Sequence, residues 1–179
     1  MGNMGNSFIS HECIVSNVYD LSGGVRNSFR LLASDGVPAV GGGKAVAVLI
    51  GASFAGIGSN IKTVSFIALR SGTTVGNYTI TLESNAGTVK ATYSENANNL
   101  SDAGYTLYQR AMNVCAAIAS GDRITVKYSG TAQAVAFLAI GIIAASMPTN
   151  TTGQLLDTTD TWQNQPTDTG IMFTFDSTV

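Results

Sequence analysis

Histidine, cysteine and charged side chains are all scarce in this 179-residue chain, and their scarcity excludes several classes of site. The chain has one histidine, His11, so a metal centre built on several histidines is excluded. No Gly-x-Ser-x-Gly motif accompanies His11, and nothing indicates a Ser–His–Asp hydrolase. Glu12, Glu83 and Glu95 do not form a recognisable acid pair for glycoside hydrolysis. We therefore expect no catalytic residue, no metal and no cofactor.

The two cysteines, Cys13 and Cys115, are far apart and lack the C-x-x-C spacing of zinc ribbons and redox motifs. Each lies among apolar neighbours, as in Val114-Cys115-Ala116. Free cysteine behaves as a small hydrophobic residue, so we predict two buried thiols. A disulfide between them is the alternative.

Charge is low and unevenly distributed. Only 11% of the residues are charged and the net charge is −2, so no positive field attracts nucleic acid or an anionic membrane. Every Lys and Arg lies at or before Lys127, whereas the segment after Pro148 carries four aspartates. Two of these, Asp157 and Asp160, stand in a Thr-rich stretch that could ligate calcium, but the Asp-x-Asp-x-Asp-Gly pattern is absent.

No segment has the length of a membrane helix. The longest apolar run covers residues 134–145, well short of the roughly 20 residues that cross a bilayer. The first residues, Met-Gly-Asn-Met-Gly-Asn-Ser, show neither a basic region nor an apolar stretch, so no secretory signal is indicated. The sequence therefore favours a protein made in the cytoplasm, with no membrane partner.

Period-two alternation is the clearest structural signal. Residues 78–83 alternate apolar and polar side chains, with Tyr78, Ile80 and Leu82 on one face. Asn85-Ala86-Gly87 predicts a turn, behind which Val89, Ala91 and Tyr93 alternate inward again. Residues 123–128 repeat the pattern. These segments predict antiparallel strands and a β-hairpin.

Other segments also predict strands, so the whole chain is expected to be all-β. Residues 44–50 and 61–69 are compact apolar runs typical of buried strands, and residues 134–145 suit one or two more. Residues 105–118 fit either a strand or a short helix capped by Ser101-Asp102. About eight to ten short strands are expected, which indicates an antiparallel β-sandwich or jelly roll with extended N- and C-terminal arms. We place the arms at residues 1–36 and 148–179 and the jelly-roll domain at 37–147.

The C-terminal arm has too few apolar residues to order itself alone, since fixing the backbone costs about 1–2 kcal/mol per residue. We therefore predict that its apolar residues contact a neighbouring subunit or the surface of a larger assembly, and that removing residues 149–179 leaves the sandwich folded. These candidate contacts are Leu155, Leu156, Trp162, Ile171, Phe173 and Phe175.

Three segments carry a resemblance at the level of pattern. A glycine-rich entry leads into residues 45–50, tyrosines stand at 105–108, and Ser120-Gly-Asp-Arg-Ile-Thr-Val-Lys-Tyr128 precedes the long apolar strand. In these features the region 41–146 resembles a jelly-roll module of tailed-phage virion structural proteins. The resemblance implies a virion location and a role as a head decoration or cement protein. It also implies contacts with copies of the chain, a trimer by analogy, and with the major capsid protein.

A carbohydrate-binding or host-adhesion module of a phage tail or fibre is the alternative. Such a module uses aromatic and amide side chains on one face, with Trp162, Tyr105 and Tyr108 as candidates.

Overall fold

The computed structural model describes residues 27–31, 42–72, 76–129, 137–144, 150–157, 159–165, 169–171 and 173–178. Side chains are described in residues 44–72, 76–129, 150–157 and 159–165. His11 and Cys13 lie outside these ranges.

The described chain is built almost entirely of strands. Within the described ranges there is no α-helix, and one 3-10 turn, Ala97–Asn99, follows β6. The strands are β1 (Asn27–Leu31), β2 (Gly42–Gly43), β3 (Ala45–Ile50), β4 (Asn60–Ser71), β5 (Asn77–Glu83), β6 (Val89–Asn96), β7 (Thr106–Ala117), β8 (Arg123–Tyr128), β9 (Phe137–Ala144), β10 (Thr151–Leu156), β11 (Trp162–Asn164), β12 (Thr169–Ile171) and β13 (Phe173–Thr178).

Six strands form one sheet in the order β11-β10-β3-β8-β5-β6, and each neighbouring pair is antiparallel. Side chains alternate between its two faces. Val46, Val48 and Ile50 of β3 face the hydrophobic core, so Ala45 and Ala47 belong to the outer face.

The second sheet has seven strands around β4. β7 pairs with one edge of β4 along residues 60–68. On the other edge, β13 pairs with residues 60–66 and β9 with residues 68–71. β9 also pairs with β1 and with β12. β1 and β2 make the one parallel pair among the described strands.

The core lies between the two sheets. β3, β5 and β8 contribute the inward residues of one sheet, and β4 contributes Ile61, Val64, Phe66 and Ala68 from the other. The described part is therefore an antiparallel β-sandwich, which confirms the predicted fold class.

The predicted hairpin between β5 and β6 is confirmed, with one difference. Gly87 closes the turn with φ +81°, a value that favours glycine. The register shifts after Leu82, so that Glu83 lies opposite Val89 instead of Lys90. Because this bulge moves Val89 to the face of Glu83, the inward position predicted for Val89 is wrong, and the side chain is 51% exposed.

Residues 106–117 form the long strand β7, which settles the choice between strand and helix. Ile61 of β4 is paired with Ala116 of β7, and Thr63 with Ala111. Four residues of β7, 112–115, therefore lie opposite a single residue of β4, and they form a bulge. Met112 is buried in this bulge, but Cys115 is an exposed free thiol. The prediction of a buried Cys115 is therefore wrong, because an insertion in the strand breaks the alternation that apolar neighbours suggested.

Both terminal segments supply strands to this sandwich. β1 pairs with β9 over five residues, and β10 pairs with β3 over six. β12 and β13 pair with β9 and β4 of the same chain. Strand pairing thus crosses the boundary expected at residues 147 and 148. No helix in the described part is long and apolar enough to span a membrane.

Candidate functional site

The edges of the two sheets meet where β6 lies beside β7, and an ionic cluster joins them. The buried Tyr78 donates a short hydrogen bond from its hydroxyl to Oε2 of Glu95. Arg110 Nε donates to Tyr78 Oη over 2.8 Å and to Glu95 Oε2 over 3.0 Å. Arg110 Nη2 lies 2.9 Å from the same carboxylate oxygen. Asn99 Nδ2 donates to the other oxygen, Oε1, over 3.0 Å.

This environment shifts the ionisation of all three groups. Burial, followed by the hydrogen bond to Glu95, raises the pKa of Tyr78 far above its ordinary value. Burial opposes ionisation of Glu95, but hydrogen bonds from Tyr78, Asn99 and Arg110 outweigh it and lower the pKa of that carboxyl. Burial also opposes the charge on Arg110, and its contacts with Tyr78 and Glu95 raise its pKa nonetheless. The cluster is therefore a neutral tyrosine beside a fixed ion pair, an arrangement that stabilises the join between the sheets.

Aromatic rings and one amide reinforce the same join. The Arg110 guanidinium lies 5.1 Å from the Tyr108 ring centroid and 5.8 Å from that of Tyr93. Asn113, in the β7 bulge, accepts a hydrogen bond of 2.8 Å from the backbone N–H of Thr92 in β6. The bulge thus places an acceptor against an edge strand that would otherwise present a free donor.

On the outer face of the six-stranded sheet, polar side chains of β5 and β8 are buried. Glu83 Oε1 accepts hydrogen bonds from Thr81 Oγ1 over 2.8 Å and from Lys127 Nζ over 2.6 Å. The hydroxyls of Thr81 and Thr125 contact each other beneath these charged groups. Each of these polar side chains has a partner within the chain, so this part of the face is stabilised internally.

Further along the same face, β8, β10 and β11 place four side chains together that we call the Trp162 platform: Arg123, Gln154, Trp162 and Asn164. Arg123 Nε donates to Gln154 Oε1 over 2.8 Å, and Gln154 Nε2 donates to Asn164 Oδ1 over 2.8 Å. The Arg123 guanidinium lies 5.5 Å from the centroid of the Trp162 ring. Periodicity could find Trp162, but it could not place Arg123 or Gln154 beside it.

The predicted contact residues of the tail lie on strands of both sheets. Leu155 packs against the core, whereas Leu156 lies opposite Trp162 in register on the outer face. Ile171 pairs with Ile142 of β9, and Phe173 and Phe175 pair with Phe66 and Val64 of β4. Whether any of them contacts a partner stays a prediction.

The three aromatic candidates for adhesion are also separated. Trp162 belongs to the six-stranded sheet, whereas Tyr105 and Tyr108 lie at the start of β7 in the other sheet. Tyr108 packs on Phe66 with ring centroids 5.7 Å apart, and its hydroxyl accepts a hydrogen bond of 2.6 Å from the Ser101 backbone. Of the two tyrosines, only Tyr105 is an exposed side chain.

The two aspartates considered for calcium already have partners, Asp157 within its own loop and Asp160 at Lys44. Asp157 Oδ1 accepts hydrogen bonds from the backbone of Thr159 and Thr161 over 2.8 and 2.9 Å. Asp160 forms an ion pair of 2.8 Å with Lys44. No three metal-ligating side chains come together among the residues that the structure describes.

One end of the sandwich exposes apolar side chains, and we call it the apolar end: Ile57, Val89, Val114 and Cys115. Ile57, Val89 and Val114 are 39%, 51% and 49% exposed. The segments that carry them converge, because Gly58 donates a backbone hydrogen bond to Ile118 and Lys90 pairs with Asp122. Sequence reasoning missed this surface, since three of its four members, Val89, Val114 and Cys115, depend on bulges in β6 and β7.

Comparisons with protein-family models, curated proteins and solved structures find no match to this chain.

Proposed function

We propose that this chain is a structural protein of a virus particle, a head decoration or cement protein that packs against copies of itself and against the major capsid protein. The apolar end is the observation that carries the proposal. Its three large side chains are each more than a third exposed on a chain of low charge, and such surfaces are typical of protein contacts. The pattern-level resemblance of residues 41–146 to phage jelly-roll modules supplies the virion context.

Several edge strands of the two sheets are poorly suited to pairing with a strand of another chain, which favours contacts through the faces and ends of the sandwich. β2 and β11 are short edge strands of two and three residues. β6 and β7 shield each other through Asn113 and Arg110. Strand addition is thus disfavoured at β2, β6, β7 and β11, and the apolar end offers exposed apolar side chains for a contact of another kind.

The test compares Val114→Asp with Thr106→Asp, since both positions are exposed on β7 but only the first belongs to the apolar end. We expect wild type and Thr106→Asp to elute as the same multiple of 18.5 kDa and to co-sediment with capsids. For Val114→Asp we expect at least about tenfold weaker association, because a buried carboxylate without a partner is unfavourable. Circular dichroism checks that both variants are folded.

An unchanged association of folded Val114→Asp would remove the apolar end as the contact. A wild-type protein that is monomeric and does not bind capsids would contradict the structural role itself.

A carbohydrate-binding function is the second candidate. One observation favours it, the Trp162 platform, in which an indole, two amides and a guanidinium share one face.

A further inference from the structure

Arg123 differs from the other two arginines whose side chains are described. Arg70 and Arg110 each use all three guanidinium nitrogens, on a carboxylate and on further oxygens of the chain. Arg123 uses Nε alone, on Gln154, and has no carboxylate partner in the described part of the chain. Its Nη1 and Nη2 are the pair of donors that normally hold a carboxylate in a bidentate contact.

The position of Arg123 is built into the sheet. β3 lies between β8 and β10, so the Arg123 side chain must cross β3 to reach Gln154. Arg123 lies opposite Leu49 of β3 and Gln154 lies opposite Ala47, so the side chain crosses diagonally, and the small Ala47 leaves room for it. The guanidinium then lies against the Trp162 ring, which limits its freedom. The cation is thus held in a fixed place with no carboxylate of the described residues within ion-pair distance, although Glu83, which bonds Thr81 and Lys127, lies opposite Arg123 in register.

Within the described ranges, the neighbouring side chains also have N–H donors for which no acceptor is present. Asn164 accepts from Gln154 through Oδ1, which leaves both hydrogens of Nδ2 available. No residue within the described ranges accepts a hydrogen bond from Trp162 Nε1. With the Arg123 nitrogens, the platform offers donors of three kinds, so a matching ligand must be rich in acceptors and negatively charged.

We propose that the Trp162 platform binds a saccharide that carries a carboxylate, either a uronic acid or a sialic acid. The carboxylate contacts Nη1 and Nη2 of Arg123, the hydroxyl and ring oxygens accept from Asn164 and Trp162, and the C–H face of the sugar packs on the indole. A carboxylate alone would satisfy Arg123, but a saccharide also supplies acceptors to the other two residues. The inference rests on the second candidate function, whose ligand class it specifies, and it is independent of the structural role, which uses a different surface.

The binding test uses matched ligand pairs on the full chain. Oligogalacturonate is compared with its full methyl ester, and sialyllactose with lactose, by isothermal titration calorimetry. We expect the acidic member of at least one pair to bind at least about tenfold more tightly than the neutral member, because charge-assisted hydrogen bonds contribute the difference. This binding should weaken as sodium chloride is raised. The pair that responds identifies the acid as uronic or sialic.

Three variants assign the binding to the platform. Arg123→Gln should weaken binding about tenfold or more, whereas Lys62→Gln, which removes an exposed charge from the other sheet, should not. Asn164→Asp keeps the oxygen that accepts from Gln154 but adds a carboxylate beside Arg123. We expect it to abolish binding while the melting temperature is kept, so loss of fold cannot explain the result.

The proposal is overturned if no acidic saccharide binds at millimolar concentration, if the neutral ligands bind equally, or if Arg123→Gln binds like wild type. A poly-aspartate peptide that binds more tightly than every saccharide would also overturn it, and would indicate an acidic protein as the partner.

Discussion

Asp157 shows how much order a single side chain can give to a polar segment. Its carboxylate accepts hydrogen bonds from the backbone of Thr161 and from the side chain and backbone of Thr159, with a further one from Gln163. These bonds, the one from the Thr161 backbone first, lower the pKa of Asp157 from 3.8 to about 2. The tight turn between β10 and β11 therefore depends on an ionised Asp157.

We expect Asp157 to make the stability of the protein depend on pH in acid. Because its pKa is lower in the folded chain, the ionised carboxylate stabilises the fold above its ordinary pKa of 3.8, and this contribution is lost as the pH falls toward about 2. The difference in melting temperature between wild type and Asp157→Asn should therefore have its full value at pH 5 and shrink as the pH is lowered from 4 to 2. A difference that does not change with pH would show that the charge of Asp157 has no such role.

At the scale of elements, the join between β6 and β7 is held by side chains instead of a backbone ladder. Tyr78, Glu95 and Arg110 link β5, β6 and β7, and Asn113 adds a bond to the backbone of β6. Glu95 and Arg110 are about four-fifths buried, with side-chain exposures of 22% and 20%. An ion pair in this setting is screened less than one on the surface.

We expect Glu95→Gln to lower the free energy of unfolding by about 1–3 kcal/mol, because it leaves the largely buried Arg110 charge without a counter-charge. Lys62→Gln, at an exposed cation of β4, is the control and should change it by less than about 0.5 kcal/mol. Urea denaturation measures both. An effect of Glu95→Gln no larger than that of the control would mean that hydrophobic packing alone closes this side of the sandwich.

At the scale of the whole molecule, the acidic C-terminal segment belongs to both sheets. β10 covers the edge of β3 over six residues, and β13 pairs with β4 through residues 60–66. Native domains are stable by only about 5–15 kcal/mol. Removing strands from both sheets at once should therefore cost a large fraction of the free energy of unfolding of such a domain.

The structure consequently predicts the opposite of the sequence-based expectation for truncation. A chain that lacks residues 149–179 should fail to show a cooperative thermal transition, because β3 and the N-terminal half of β4 each lose one of their two neighbouring strands. The double variant Asp157→Asn, Asp160→Asn is the control, since it removes two tail charges but keeps every strand. If the truncated chain melts cooperatively near the wild-type temperature, the tail is dispensable for folding.

Local sequence patterns were sufficient to predict a strand wherever that strand is regular and its neighbours are close in the sequence. The β5–β6 hairpin was predicted from alternation and from Asn85-Ala86-Gly87, and β8 from its own alternation and the turn at Gly121, whose φ is +82°. The bulges were not predictable, because an inserted residue is stabilised by contacts across the fold. Val89 and Cys115 were misplaced for this reason.

The sequence by itself determined the all-β class, most strands of the core and the scarcity of groups for catalysis, since composition and alternation are properties of the chain. Only the tertiary structure decided which strands are neighbours, and hence that the tail pairs with β3 and β4 and that Arg123 lies against Trp162. Residues 123, 154 and 162 are brought together by pairings between strands that are distant in the sequence. Such pairings depend on the combined burial of both sheets, which no local window of sequence contains.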